Sequence, residues 1–518
     1  MNQEIELKLG LQPNQLGRFN RHGLWRSLAE GRARTQHLIT TYFDTAELAL
    51  RRQGAALRVR QSKGNRPLQT LKVPAPENGP RTAKTYHEYE AELDGNNPDL
   101  SRIEGAEAET LVAGSGLAAE LKPVFTTDFT RRVLPVRLAD AEIEVALDVG
   151  EVRSGKQVIP ICEAELELKS GHPGRLAELA LALHESLPVR LEQRTKAARG
   201  YGLLTGNLPL PVKARRFRLE RSASVAEAIP VVIRECLFQV FANEPAVLHG
   251  HDPEGIHQMR VGLRRLRAFL ALVRPFVAPD VAAYMRVELG WLQRELGPAR
   301  DWDVFISDTL ERLSARQGAT NGLGPALRYA NEARGAAYER ARAAVTDPRF
   351  TAILLRTEIW LDSGQWIRPG KSVKKALSRP ARRFAKDALK VRERKLHKLG
   401  RRHDTLSEAD LHRLRIRAKN LRYVTEFFQS LFRKKRAAAY IDSLRELQDV
   451  LGTLNDAVVN RVLLEELGQR GAENKRAQKA IAHADALVRG WTFGRIESDL
   501  ARLSSVWARH SDRRHFWT

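Results

Sequence analysis

The chain has 518 residues, a net charge of +24 and only two cysteines. That length exceeds what one hydrophobic core supports and implies about three compact units, while two cysteines exclude a disulfide-built fold. No stretch approaches the ~20 apolar residues of a membrane span, and the acids at Glu4 and Glu6 leave no apolar leader. The expectation is a cytoplasmic protein with no membrane partner.

The charge is unevenly placed. Residues 1–210 hold 28 Lys and Arg against 27 Asp and Glu, a net of +1; the remainder holds 58 against 35, a net of +23. Nearly all the excess lies in the C-terminal portion, which calls for a polyanionic partner there.

The first predicted element is a strand. In Glu4-Ile5-Glu6-Leu7-Lys8-Leu9 charged and apolar residues alternate at period two, so Glu4, Glu6 and Lys8 share one face. Adjacent carboxylates repel unless a cation sits between them, and a Lys in line adds a positive charge for an anion. Those are the parts of a phosphoryl-transfer site. An edge strand with a solvated charged face gives the same pattern.

Further alternating segments follow at Ala55–Arg60, Gln69–Val73, Tyr86–Leu93, Ala141–Val149 and Ile159–Lys169. Turn-like stretches at Ser62–Asn65 and Asp94–Pro98 separate them, and helical patches fall at about 12–30, 99–120 and 173–187. The segment Gly206–Pro211 and the basic run Lys213–Arg218 read as a linker. From about 222 the period becomes helical, with breaks near Gly318–Gly324 and Ser363–Gly370. Cys162 and Cys236 sit among apolar neighbours and read as buried small residues.

The helical portion repeats itself. His257-Gln258-Met259-Arg260 with Arg264 and Arg267 recurs as His412-Arg413-Leu414-Arg415 with Lys419 and Arg422. Leu296-Gly297 and Leu451-Gly452 recur at the same offset of 155 (412 − 257 and 451 − 296), which argues for an internal duplication. His257, Arg260, Arg264 and Arg267 fall within an arc of roughly 80° at about 100° per residue. They form one basic stripe, with Leu263, Leu266 and Leu270 on another face.

In the strand-rich half the charged positions carry both signs. Arg58 and Arg60 flank Val59, Glu88, Glu90 and Glu92 alternate, Glu142 and Glu144 precede Asp148, and Glu163, Glu165 and Glu167 alternate again. A closed barrel with helices outside would turn these inward as a lined tunnel. Acids would gather Mg²⁺ or Mn²⁺ and bases would hold a phosphate chain.

At these positions the chain resembles the CYTH family, the triphosphate tunnel metalloenzymes. The resemblance rests on the ExExK pattern of Glu4-Ile5-Glu6-Leu7-Lys8, on His37 with Tyr42–Thr45, on Leu57–Arg60 and on Leu71–Val73. Thr127–Arg131, Ile161–Glu167 and Thr195–Tyr201 extend it over essentially all of 1–205. It implies an eight-stranded antiparallel tunnel acting on triphosphates with Mg²⁺ or Mn²⁺. Glu4, Glu6, Asp148, Glu163 and Glu165 would be metal ligands or their close supports. Glu88 and Asp148 would position a second metal or the attacking water. Lys8, Arg58, Arg60, Lys72, Arg131 and Lys196 would grip phosphate oxygens, with Lys8 also counted as catalytic. Of Arg131 and Arg132 only one can point inward, and the Thr-Asp-Phe lead-in favours Arg131.

The His-led stripes and the two Leu-Gly segments resemble the CHAD domain, a helical bundle with internal two-fold similarity that binds inorganic polyphosphate. The resemblance covers roughly 225–510 and implies polyphosphate binding by His257, Arg260, Arg264, Arg267, His412, Arg415, Lys419 and Arg422.

The expected protein is thus multidomain: an α+β tunnel barrel at 1–205, a linker at 206–221 and an all-α bundle at 222–510, with repeats at about 222–362 and 371–510. The expected function is metal-dependent hydrolysis of tripolyphosphate to pyrophosphate and phosphate. Polyphosphate binding in the second half would associate the protein with polyphosphate granules. A class IV adenylate cyclase acting on ATP, another triphosphate hydrolase, and a non-catalytic polyphosphate scaffold are the alternatives. Nucleic acid is expected to bind only non-specifically through the +23 half.

Overall fold

In the computed structural model, which describes residues 2–75, 82–112, 117–317, 322–470 and 474–517, strand β1 (Asn2–Gly10) keeps neither face in solvent. Glu6 and Lys8 on one side and Leu7 and Leu9 on the other are all buried. A strand can bury two such unlike faces only if each meets its own kind, and the topology provides this. β1 pairs antiparallel with β5 (Lys84–Glu92) on one side and β8 (Gln157–Ser170) on the other. The sheet runs on through β2 (Arg34–Asp44), β3 (Ala56–Ser62), β4 (Leu68–Pro74), β6 (Lys122–Leu138) and β7 (Ala141–Ser154). The order is β5-β4-β3-β2-β6-β7-β8-β1, and pairing of β1 with β5 closes an eight-stranded antiparallel barrel. A short β9 (Arg190–Leu191) adds to the end of β1. Closure removes the free edges, so β1 is not the solvated edge strand its sequence also allowed.

The barrel is charged inside and apolar outside. Arg58 and Arg60 of β3 line the lumen, while Leu57 and Val59 join Phe43, Leu50, Leu71, Val73 and Tyr89 in an outer core. The helix Gly174–Ser186 lays Leu176, Leu179 and Leu183 against β1 and β8. A second helix, Lys196–Thr205, is capped by Thr195 Oγ1, which accepts the Ala198 N–H at 3.0 Å. It touches the barrel at Gly200, where a Cβ would meet the Phe125 ring at 2.2 Å. That close approach seats Lys196 and Arg199 over the lumen. At the end of β2, buried Asp44 accepts the N–H groups of Thr45, Leu50 and Arg51 and the Tyr201 hydroxyl at 2.8 to 3.0 Å. Asp44 of the Tyr42–Thr45 motif is therefore a structural clamp, while Tyr42 lines the lumen.

Two compact units divide the chain, Met1–Pro209 with Thr346–Gln365 and Leu210–Val345 with Trp366–Thr518. The helix Pro348–Ser363 belongs to the first unit: His184 Nε2 lies 2.9 Å from Pro348 O, and Arg356 pairs with Glu185 at 3.1 Å. The break expected at Ser363–Gly370 is present, opened by Gly364 at φ +74°. The one expected near Gly318–Gly324 lies largely outside the described residues.

The second unit is helical throughout its named elements. Its helices Val225–Phe241 and Glu254–Val273 cross closely at Gly262, where a Cβ would lie 2.9 Å from Val240 Cγ2. Helices Pro279–Glu295 and Lys434–Val450 start and end 155 residues apart, as do the starts of Gly297–Phe305 and Gly452–Arg470. Cys236 is buried as expected, but Cys162, on β8, is half-exposed.

Candidate functional site

The lumen is a cavity of about 980 Å³. Ladder register decides which side chains enter it. Arg131 sits opposite Asp148, Asp148 opposite Glu163, Lys8 opposite Glu165, and Lys72 opposite Glu88. The inward set interlocks. Arg131 donates Nε–H and Nη2–H to the two oxygens of Asp148 at 2.8 and 2.6 Å and also bonds Glu165. Lys8 Nζ donates to Glu6 at 2.8 Å and to Glu165. Lys72 Nζ contacts Glu4, Glu6 at 3.4 Å and Glu88 at 3.2 Å, and Arg58 lies 3.4 Å from Glu88. Lys196 Nζ stands 2.5 Å from Glu163 and 2.9 Å from Glu165. Arg132 points away, to Asn20.

Every tunnel residue expected from the sequence thus belongs to this network or lines the cavity. Asp148 and Glu163 lie deepest, at 0% and 1% exposure, behind Arg131, Lys196 and Arg199. Sequence reasoning missed Arg199, which bonds Glu163; its spacing of three from Lys196 on one helix was the available signal. It also missed Arg34, Lys84 and Lys169, which line the cavity. Seven acids and ten bases line it among the described residues, so the lumen favours an anion.

Burial pushes the Glu4 carboxyl up to about 7, with Glu6 and Glu88 adding to the rise and Lys72 opposing it. Burial acts on Glu88 in the same sense, but Arg58 and Lys72 hold it down at about 2. Arg58, then burial and Arg131, lower Arg60 to about 10. Among the described residues Arg60 has no carboxylate at ion-pair distance, and the buried Nε atoms of Arg58 and Arg60 have no hydrogen-bond partner. Oxygens of Asp148, Glu163 and Glu165 lie within 4.8 Å of one another. These hard donors suit Mg²⁺ or Mn²⁺.

In the second unit the two stripes meet. Arg264 acts electrostatically on both Arg415 and Lys419, and on His257 together with Arg260 and Arg300. His257 Nδ1, Arg260 Nε and Nη1, Arg264 Nε and Arg415 Nε are buried without a hydrogen-bond partner. Burial and then Arg300, Arg264 and Arg260 lower His257 to about 4. Burial and then Arg415, Arg264 and Arg422 lower Lys419 to about 7. Asp301 lies 3.5 Å from Arg260 and buttresses it. Arg422 is engaged by Glu426 at 2.9 Å and Gln448 at 3.0 Å. Arg267 and His412 are exposed, so the cluster comprises His257, Arg260 and Arg264 of the first stripe and Arg415 and Lys419 of the second.

Comparison with known proteins agrees with this division. Residues 2–201 match the CYTH domain and residues 231–465 the CHAD domain. An inorganic triphosphatase of Haemophilus influenzae is 31% identical over 205 residues, covering 39% of this chain and 55% of the relative. The chain therefore matches about half the length of that curated relative. The crystal structure of the CHAD domain from the plant Ricinus communis is 32% identical with a TM-score of 0.50, covering 59% of this chain and 98% of that one. A putative adenylyl cyclase from Hippeastrum, described as having a dominant triphosphatase activity, is 22% identical with a TM-score of 0.30. It covers 40% of this chain and 98% of that one. Among the described residues no helix is long and apolar enough to cross a membrane.

Proposed function

We propose that this chain, which carries a CYTH domain followed by a CHAD domain, is a metal-dependent inorganic triphosphatase whose second unit binds inorganic polyphosphate. The observation that carries this reading is the Arg58–Arg60 pair, two half-buried guanidinium groups of like charge whose buried Nε atoms have no hydrogen-bond partner. A phosphate chain satisfies such a pair; a neutral ligand does not.

Asp148, Glu163 and Glu165, with Glu4 and Glu6 beyond Lys8, would hold Mg²⁺ or Mn²⁺. Bound there, the metal would supply charge neutralisation on the phosphate oxygens. Arg58, Arg60, Lys72 and Arg131 hold the chain in line, and Lys8 and Lys196 compensate charge as the terminal P–O bond breaks. Glu88, ionised throughout the neutral range, and Asp148 accept hydrogen bonds from the attacking water. The proton of that water passes to a carboxylate of this set as the P–O bond breaks. The products are orthophosphate and pyrophosphate.

In the second unit, the buried nitrogens of His257, Arg260, Arg264 and Arg415, with the half-buried Lys419, would present donors for the oxygens of a longer polyphosphate. Arg267, His412 and Arg422 contribute charge at the margins.

Parallel incubation of the full chain with tripolyphosphate and with ATP, measuring phosphate, pyrophosphate and cyclic AMP, tests the enzyme assignment. Phosphate and pyrophosphate from tripolyphosphate support it. Cyclic AMP from ATP, without tripolyphosphate turnover, would establish the cyclase instead.

A further inference from the structure

We infer that Glu393, His397 and His510 form a transition-metal site in the second unit, suited to Zn²⁺ and separate from the oxygen-lined tunnel. Glu393 and His397 lie one turn apart on the helix Ala381–Gly400 and so share a face. His510 comes from the last turn of the helix Lys475–Ser511. Their candidate ligand atoms all lie within 4.8 Å of one another. Glu393 Oε1 is 2.8 Å from His397 Nε2 and 3.8 Å from His510 Nε2. Ligand atoms around a tetrahedral Zn²⁺ with ~2.1 Å bonds stand about 3.4 Å apart, between those two values.

The hydrogen bonds around His510 fix which nitrogen carries the proton. Ser443 Oγ donates its single hydrogen to Tyr440 O at 2.8 Å. Toward His510 Nδ1, 3.0 Å away, the same oxygen can therefore only accept. Nδ1 thus bears the proton and Nε2 a bare lone pair. That nitrogen belongs to a side chain with 0% exposure, has no hydrogen-bond partner, and faces the Glu393 carboxylate. His397 Nε2, though near Glu393, also lacks a hydrogen bond of acceptable geometry. The bare His510 Nε2 and Glu393 Oε1 thus face each other in a buried space, an arrangement that a cation resolves.

The surroundings fit the same role. Tyr440 donates its hydroxyl to Glu393 Oε2, leaving Oε1 for a metal, and Ser443 orients His510. Such partners of the ligands set geometry and basicity in metal sites. Two imidazoles and one carboxylate select Zn²⁺ over Mg²⁺ or Ca²⁺. His515 Nε2, on an exposed side chain, lies 3.7 Å from Glu393 Oε1. His510 and His515 lie beyond residue 465, where the CHAD match ends. The site would thus pin the last helix and tail to the body of the unit.

The test uses full-length, tag-free protein stripped with a chelator, then given Zn²⁺ in millimolar Mg²⁺ to occupy oxygen-only sites. The expected result is one Zn²⁺ retained per chain, a rise in Tm on loading, and intense tetrahedral visible bands when Co²⁺ replaces Zn²⁺. His397→Gln, at a half-buried position, is expected to weaken retention at least about a hundredfold. Ser443→Ala, which leaves all ligands in place, should weaken it about 10- to 100-fold. Wild-type protein that retains no more Zn²⁺ than His397→Gln, or gives only weak octahedral Co²⁺ bands, overturns the site whether or not either variant folds.

Discussion

Lys196 Nζ stands 2.6 Å from Asp148 Oδ2, in the space between carboxylates where a divalent cation would bind. The same ammonium reaches Glu163 and Glu165, so one positive charge serves all three acids of the candidate metal cluster. A cation entering the substrate-free tunnel must compete with it. A triphosphate, by drawing Lys196 toward its own oxygens, would release the acids for the metal. Metal and substrate should therefore bind cooperatively. Lys196→Ala is expected to bind Mn²⁺ at least about tenfold more tightly without substrate and to hydrolyse tripolyphosphate more slowly. Calorimetric titration with Mn²⁺, with and without a non-hydrolysable triphosphate, checks the first expectation.

Arg60 gives a cleaner measure of phosphate binding. It makes no ion pair among the described residues, and Arg58 beside it is a like charge. Arg60→Ala should raise KM for tripolyphosphate about tenfold or more, the value of one charge-assisted hydrogen bond. Thermal stability should stay level or rise, since a repulsion is relieved. Steady-state kinetics beside a melting curve reads both.

Gly200 is needed for packing. A Cβ there would overlap the buried Phe125 ring, and an aromatic core ring cannot move aside as a surface chain could. Gly200→Ala should cost roughly 1–3 kcal/mol of stability, the usual cost of overpacking. It should also lower turnover by displacing Lys196 and Arg199. Denaturant unfolding of the variant measures the loss.

Lys419 should make the proposed polyphosphate binding sensitive to pH. Burial and then Arg415, Arg264 and Arg422 bring it to about 7 in the free protein, against ~10.4 when unfolded. Between these values the unfolded chain holds a proton that the folded chain lacks. This group's contribution to stability therefore rises with pH from 7 to about 10. A bound polyanion favours the charged form, so binding takes up a proton and affinity falls as pH rises through 7. Lys419→Arg, charged throughout, should flatten that dependence. Titrations at pH 6, 7, 8 and 9 distinguish the two proteins.

Alternation at Glu4–Lys8, Arg58–Arg60 and Glu163–Glu167 was enough to locate β1, β3 and β8, because a lumen filled by ions keeps period two on both faces. β2 and β6 escaped the same reading. β2 begins with four exposed residues, Arg34 to His37, and β6 carries the adjacent Arg131-Arg132 and Pro135, which break the pattern. The helical stripe was legible as a face but not as a depth. Arg267 and His412 share the arc of their neighbours, yet both are exposed, and periodicity does not report how deep a stripe lies. The pairing of Lys196 with Asp148 joins residues 48 positions apart on a helix and a strand, and periodicity carries no information about such a meeting. Nor could it foresee His397 with His510, which come together only when the last helix folds back.

The central claim is that the ions inside the barrel form a working triphosphate site. Phosphate release from tripolyphosphate with Mg²⁺ or Mn²⁺, compared between the full chain and Glu6→Gln of matched melting temperature, tests it most directly. The account predicts steady release by the first, abolished by the chelator, and a loss of at least about a hundredfold in the second. Equal release from both proteins, or none from either at any metal concentration, would contradict it.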